Sequence, residues 1–239
     1  MNVRLKDAEK TMTMTEMLKA ACVFALTLTL TNSFAASKQD VDEAMGRGGL
    51  QKISVKGLEL AYARPGATLA AYKRVRLDPV DVEFDKSWDP AKTGSRINLS
   101  SEERDKIKAR VAQLVEEEFA KELQKGGAYQ IASESGPDVL RVKVSILNLY
   151  INAPSSGGAG RSKTYVSSAG QLTLLAELTD SASGQLLARV ADRREANASG
   201  ARRMELADRM MNEAAARQVA SDWARILRKA LDRARSIGS

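Results

Sequence analysis

Apolar positions along this chain recur with two periods, two and about 3.6. From Lys73 to Phe84, "KRVRLDPVDVEF", they alternate: Val75 and Leu77 share one parity, and Val80, Val82 and Phe84 share the other. The parity switches at Pro79, and a one-residue shift turns side chains to the opposite face of a sheet. A bulge at Asp78-Pro79 restores Val80 to the core side, and bulges and edges are where strands tolerate proline. The stretch therefore predicts a bulged strand near a sheet edge. Asp138 to Ala153, "DVLRVKVSILNLYINA", behaves alike. Leu140, Val142, Val144 and Ile146 fall on one parity; Leu147, Leu149 and Ile151 fall on the other. A bulge near Ile146-Leu147, or burial on both faces, explains the flip. Thr164 to Thr179 turns Leu172, Leu174, Ala176 and Leu178 inward. It is joined by "DSASG" to Gln185 to Arg193, with Leu186, Ala188 and Val190 inward, which makes a hairpin. Shorter strands are read at "ISV" and "LAYA" before the turn "RPG" at 64–66.

Helical spacing occurs twice. Ser100 to Lys125 places Ile107, Val111, Leu114, Val115, Phe119 and Leu123 on one stripe. Ser100 and Glu103 form a capping-box pattern, and Gly126-Gly127 stop the helix. A second helix runs from about Asn212 to about Arg235, with Val219, Ala220, Trp223, Ile226, Leu227, Ala230 and Leu231 as its stripe. Arg217, Arg225, Arg228, Lys229 and Arg233 are assigned to its outer faces and end, where cations suit the helix dipole. This order predicts an α+β domain: a mostly antiparallel sheet of about four to six strands, with two long amphipathic helices packed on one face.

The N-terminal region follows a different pattern. Ala20 to Leu30 is apolar or threonine, eleven residues without charge. That is too short to cross a bilayer and suits the core of an export signal. Ser33-Phe34-Ala35 offers a small-residue cleavage site, with cleavage after Ala35 or Ala36. Acidic residues at Asp7, Glu9 and Glu16 suit a signal badly, whereas a start at Met17 gives the compact "MLKAACVFALTLTLTNSFAAS". Residues 1–36 are thus expected to be a signal peptide, 37–49 a flexible lead-in and 50–239 one domain. The expected location is the periplasm. Lipid anchoring through Cys22 is not expected, because the apolar core follows the cysteine instead of preceding it.

Composition then narrows the chemistry. Loss of residues 1–36 takes four of the 37 basic and three of the 30 acidic side chains, leaving a net charge of +6. A mildly basic surface favours an anionic envelope component or an envelope protein as partner, with no nucleic acid expected. Beyond Cys22 the chain has neither cysteine nor histidine. Disulfides, Cys/His zinc sites and histidine-based acid–base or triad chemistry are therefore excluded for residues 37–239. No glycine pattern for a phosphate or dinucleotide cradle is present. No metal, no cofactor and no enzymatic activity are expected.

Several blocks together resemble the bacterial family called domain of unknown function 3313. They are "GLQKISVKGLELAYARPGATLAAYKRVRLDPVDVEFDKSWDP" (49–90), "GPDVLRVKVSILNLYINAP" (136–154), "GRSKTYVSSAGQLTLLAELTDSASGQLLARVADRRE" (160–195) and "SDWARILRKALDR" (221–233). The resemblance implies an exported envelope protein of Gram-negative bacteria, lipoprotein-like in many members, with no established activity. Arg64, Asp78, Asn152, Arg161, Asp192 and Arg193 lie in the matching blocks. With Arg141 they form the candidate ligand- or partner-binding set. Asp192 falls on the inward parity and, if buried, needs a partner such as Arg141 or Arg193. The leading expectation is a non-enzymatic binding or structural accessory factor. The alternatives are a small-ligand carrier or enzyme built on the carboxylate/arginine cluster, and a scaffold that self-associates through an edge strand.

Overall fold

The computed structural model describes residues 38–89, 91, 99–152, 165–166, 170–196, 205–206 and 209–238. The chain divides into two compact units, Met1–Val41 and Asp42–Ser239. Of the first, only Lys38–Val41 is described, as the start of helix α1 (Lys38–Gly46). That helix lies in the stretch whose polar composition marks it as a lead-in.

In the second unit, β1 (Gln51–Ile53), β2 (Leu60–Ala63), β3 (Arg74–Leu77) and β4 (Asp81–Phe84) precede helix α2 (Ser101–Gln124). There follow β5 (Gln130–Ile131), β6 (Val139–Ile151), β7 (Tyr165–Val166), β8 (Gly170–Asp180), β9 (Leu186–Ala196), β10 (Glu205–Leu206) and helix α3 (Arg209–Gly238). Eight strands form one sheet in the order β1-β2-β9-β8-β6-β3-β5, with β4 also paired to β6, while β7 and β10 pair separately. The fold is α+β as the sequence predicts, but the sheet is larger than four to six strands and mixed instead of mostly antiparallel. A third helix, α1, joins the two long ones.

The mixed character has a chain-level cause. β3 and β4 both pair in parallel with β6, because a 24-residue helix separates them. A crossover of that length returns the chain in the same direction, where a short turn would reverse it. β6, β8 and β9 then pair antiparallel in sequence, so β3, β6 and β9 all run one way. Each long helix follows a strand of that direction, and α2 and α3 therefore lie parallel to one another. Ion pairs follow the same register, from Arg110–Glu213 at 2.7 Å to Arg217–Glu117 at 3.0 Å and Arg228–Glu122 at 3.4 Å.

Both expected bulges are present. Between β3 and β4 the ladder continues through Asp78 N to Val142 O at 3.0 Å, and Pro79 sits in the break. Val75 and Val82, on opposite parities, both reach the core. In β6 the register against β8 shifts between Leu147 and Tyr150, with Asn148 at φ 52°. Across from this bulge Gly170 is a steric necessity: a Cβ there would sit 1.9 Å from Tyr150 O. On β9 a further register shift makes Leu187, rather than Leu186, the fully buried residue of the strand's start.

Helix α2 starts with the predicted capping box, Ser100 Oγ accepting from Glu103 N at 3.2 Å and the Glu103 carboxylate accepting from Ser100 N at 2.8 Å. It ends at Gly126 and Gly127, both at positive φ. Buried Val111, Val115, Phe119 and Leu123 of α2 and Val219, Ala220, Trp223 and Leu231 of α3 join Leu140, Val142, Val144, Leu174, Ala176 and Leu178 in one core. On the opposite face the part of α1 from Asp42 onward is tied down by Tyr62, whose hydroxyl donates to Asp42 at 2.6 Å. Arg189 also donates there, to the carbonyls of Ala44 and Met45.

Two buried tyrosines pin loops to this frame. The Tyr72 hydroxyl donates to Asp180 at 2.8 Å and that of Tyr129 to Asp232 at 2.9 Å. Burial first, and then the adjacent carboxylate, pushes each phenol up to about 12. An ordinary tyrosine titrates near 10. A raised folded value contributes stability that is complete below about pH 10 and lost as pH rises through about 12. The thermal midpoint should therefore hold to about pH 10 and fall steeply above it, and Tyr72→Phe should make that fall shallower. A midpoint equally pH-dependent in Tyr72→Phe and wild type would contradict this account.

Candidate functional site

Asp192 lies on the helix-covered face of β9, in register with Leu174, and is 6% exposed. A carboxylate there is costly unless its oxygens are fully used. Three donors meet it: the Trp223 indole N–H at 2.7 Å, Arg194 Nε at 2.7 Å and Glu59 N at 3.0 Å. Arg194 sits two residues on, hence on the same face. It also donates to Gly57 O at 2.8 Å and stands 3.6 Å from the Asp222 carboxylate and 5.7 Å from the Trp223 ring centre. One carboxylate thus joins β9, the β1–β2 loop and α3. The expected partners Arg141 and Arg193 are not the ones used. Arg193 is one residue off in parity, exposed on the other face, and donates to Gln171 at 2.5 Å. The missed partners had a signal: a buried tryptophan needs an acceptor for its N–H, and Trp223 is the one tryptophan on the α3 stripe.

The remaining candidates divide by face. Asp78 and Arg141 form a bidentate pair on the face away from α2 and α3, at 2.8 and 3.1 Å from Arg141 Nε, with Arg76 at 3.4 Å. The Arg141 guanidinium holds the Asp78 carboxyl below the usual carboxylate range. The sheet separates this pair from Asp192, so the carboxylate/arginine set does not converge on one pocket. Arg64 closes the β2–β9 end, donating to Leu186 O at 2.8 Å and Gly48 O at 2.9 Å. Asn152 is half-buried just past β6. Arg161 lies outside the described residues.

The basic end of α3 is also engaged differently from the sequence expectation. Arg217, Arg225 and Arg228 reach toward α2 while staying partly exposed: Arg217 pairs with Glu117 and Glu118, and Arg225 and Arg228 approach Glu122. Glu118 and Glu122 are themselves buried. Because the helices run parallel, charges on each stripe's flank meet across the seam, a geometry that single-helix periodicity does not reveal. Lys229 and Arg233 are exposed.

Next to the Asp192 knot lies an apolar cavity of about 360 Å³. Its floor is the inner sheet face at Leu174, Ala176, Ala188 and Val190; its roof is α3 from Trp223 to Ile237; its flank is the β1–β2 loop and the turn at 67–69. The cause is local. Ala176 and Ala188 on the sheet oppose Ala230 and Ala234 on the helix. Surfaces bearing such short side chains cannot fill the space between a sheet and a helix at interior packing density. Among the described residues no charged side chain lines it. Ile53 and Ile237, both lining residues, remain 46% and 80% exposed. A second cavity of about 540 Å³ lies toward the N-termini of α2 and α3, beside segments outside the described residues. Among the described residues no acidic group is placed to hold a metal ion, and no described helix is long and apolar enough to cross a membrane.

The class defined by this geometry is an α+β domain with a mixed sheet under two parallel helices. The chain belongs to the family described as protein of unknown function (DUF3313), whose model matches residues 46–227. No curated protein sequence matches it. Three solved structures are distantly similar. A PelC dodecamer from Paraburkholderia phytofirmans is 12% identical, covering 75% of this chain and 96% of that chain at a TM-score of 0.34. A family-model DUF330 protein from Xanthomonas campestris is 11% identical, covering 70% and 90% at 0.40. A neuraminyllactose-binding hemagglutinin homologue from Helicobacter pylori is 12% identical, covering 70% and 95% at 0.33. At these scores the likenesses carry no argument about function.

Removing the knot's centre should be expensive. Asp192→Ala leaves a buried indole N–H and a half-buried guanidinium without their acceptor, and about 3–5 kcal/mol of stability should be lost in chemical denaturation. Asp192→Asn keeps one acceptor and should lose about 1–3 kcal/mol. Exposed Arg193→Ala should stay within about 0.5 kcal/mol. Equal losses for Asp192→Ala and Arg193→Ala would contradict the assignment.

Proposed function

We propose that the protein is an exported component of the cell envelope that acts by binding and not by turnover, with the apolar cavity under α3 as its binding site. The observation that carries the reading is the division of labour among its side chains. Asp78, Arg141, Asp192 and Arg194 are engaged in pairs within the fold. The cavity next to the Asp192 knot offers chiefly apolar contact. A site of about 300–1,000 Å³ with apolar walls is the ordinary form of a small-ligand pocket. This unites the accessory-factor reading with the carrier alternative, and moves the carrier's site from the charged cluster to the cavity. The scaffold alternative has less support, since the terminal strands of the sheet, β1 and β5, are three and two residues long. Export rests on the apolar run Ala20–Leu30 and the cleavage site at Ala35 or Ala36.

The test joins fractionation to native mass spectrometry. The protein should be recovered in the periplasmic extract of its host with Ala36 or Ser37 as first residue, and should carry a non-covalent apolar adduct. Retention in the cytoplasm, or a lipid-modified Cys22, would overturn the location. Turnover of an envelope metabolite by the purified protein, lost in Asp78→Asn, would overturn the binding assignment.

A further inference from the structure

The cavity's shape narrows its ligand. The α3 residues lining it run from Trp223 to Ile237. At about 1.5 Å of rise per residue this is about 21 Å of helix, so the apolar wall is elongated. An extended hydrocarbon chain can lie along such a wall, whereas 360 Å³ is too little for a helix from another protein, about 10 Å across. The inner end is closed by Trp223 and Leu174, both 2% exposed, and the outer end carries exposed Ile237. Among the described lining residues no charged or amide side chain could satisfy a buried polar group; the polar contributors are Thr68 and Tyr62, and the Tyr62 hydroxyl donates to Asp42. A ligand with a polar head must leave that head at the mouth.

We infer that the cavity takes a single unbranched acyl chain, inserted tail first toward Trp223 with its headgroup in solvent beside Ile237. The inference rests on the binding reading above but not on the protein's location. It makes the site a reader of chain length and not of head chemistry. Each methylene transferred from water to an apolar site raises affinity about fourfold. Affinity should therefore climb with length and level off once the chain outgrows the cavity. A free fatty acid and a lysophospholipid of equal tail should bind alike, and a two-chain phospholipid should insert one tail.

The probe is a set of saturated fatty acids of eight to eighteen carbons below their micellar concentrations, with bromine-labelled analogues that quench nearby tryptophan. The chain has two tryptophans. Trp88 stacks on Phe84 at 4.2 Å and is no part of the cavity wall, so Trp223 reports insertion. Expected are quenching of the Trp223 share of the emission when bromine is near the tail end, and little when it is near the carboxylate. The affinity gain of about fourfold per methylene should reach a plateau. Ala230→Phe should reduce binding at least tenfold with the thermal midpoint retained. Should that variant unfold, Ile237→Asp, at an exposed position, should still weaken binding several-fold. A lysophosphatidylethanolamine arm of matched tail separates the two sources: equal affinity supports tail reading, and a large preference for either head overturns it. No quenching at any length, affinity rising without plateau, or wild-type binding in a folded Ala230→Phe would also overturn it. If fatty acids fail while a different apolar adduct is carried by the native protein, the acyl assignment falls and the binding reading stands.

Discussion

The burial of one carboxylate governs how the helix layer meets the sheet. Asp192 sits on the apolar face of β9 with three donors aimed at it, from the helix, from its own strand and from the β1–β2 loop. Each donor needs the others in place, because a buried carboxylate is tolerated only when its lone pairs are filled. The knot fixes α3 at Trp223. Beyond that point the helix continues over alanines, and the sheet below also carries alanines. The height of α3 above the sheet is thus set at the knot by polar geometry, and further along Ala176, Ala188, Ala230 and Ala234 leave a gap that Ile226 and Leu227 do not close. Stability and cavity have the same origin.

Parallel helices impose the second constraint. Strands β3, β6 and β9 share a direction, so α2 and α3 must share one too. Their dipoles then align side by side, which is unfavourable, and the seam answers with opposite charges. Glu117, Glu118 and Glu122 of α2 face Arg217, Arg225 and Arg228 of α3. Such partly exposed pairs add little net stability, but mispairing would strand the buried Glu118 and Glu122. The seam therefore sets the register of α3 against α2, and with it the position of Trp223 over Asp192.

Much of this was legible in the sequence because much of it is local. The alternation in 73–84 located the break at Asp78-Pro79, and the flip near Ile146-Leu147 located the bulge that Asn148 makes. The Ser100/Glu103 box and the paired glycines placed both ends of α2. Inward parity marked Asp192 as a residue in need of partners. What was not legible is non-local. Periodicity states which face a residue occupies, not which strand lies beside it, so the parallel pairing of β3 and β4 with β6 and the full width of the sheet were missed. For the same reason the pairing of the α3 arginines with α2 is not readable from one helix alone. They flank a stripe that meets a second helix, whose own charged flank carries the opposite sign. Arg194 and Trp223 could have been matched to Asp192 by asking where a buried indole N–H finds its acceptor. The cavity follows from four alanines on three elements, and no stretch of chain holds that pattern.

The central claim is that space under α3 is a binding site with the Asp192 knot as its closed end. Methyl-resolved NMR of the full protein titrated with dodecanoate addresses it most directly. The account predicts saturable shifts confined to the cavity lining, Leu174, Val190, Ile226, Leu227 and Ile237 among them, with Val75, Val82 and Leu140 unmoved. Shifts scattered over exposed methyls on both faces of the sheet, or none at saturating ligand, would contradict it.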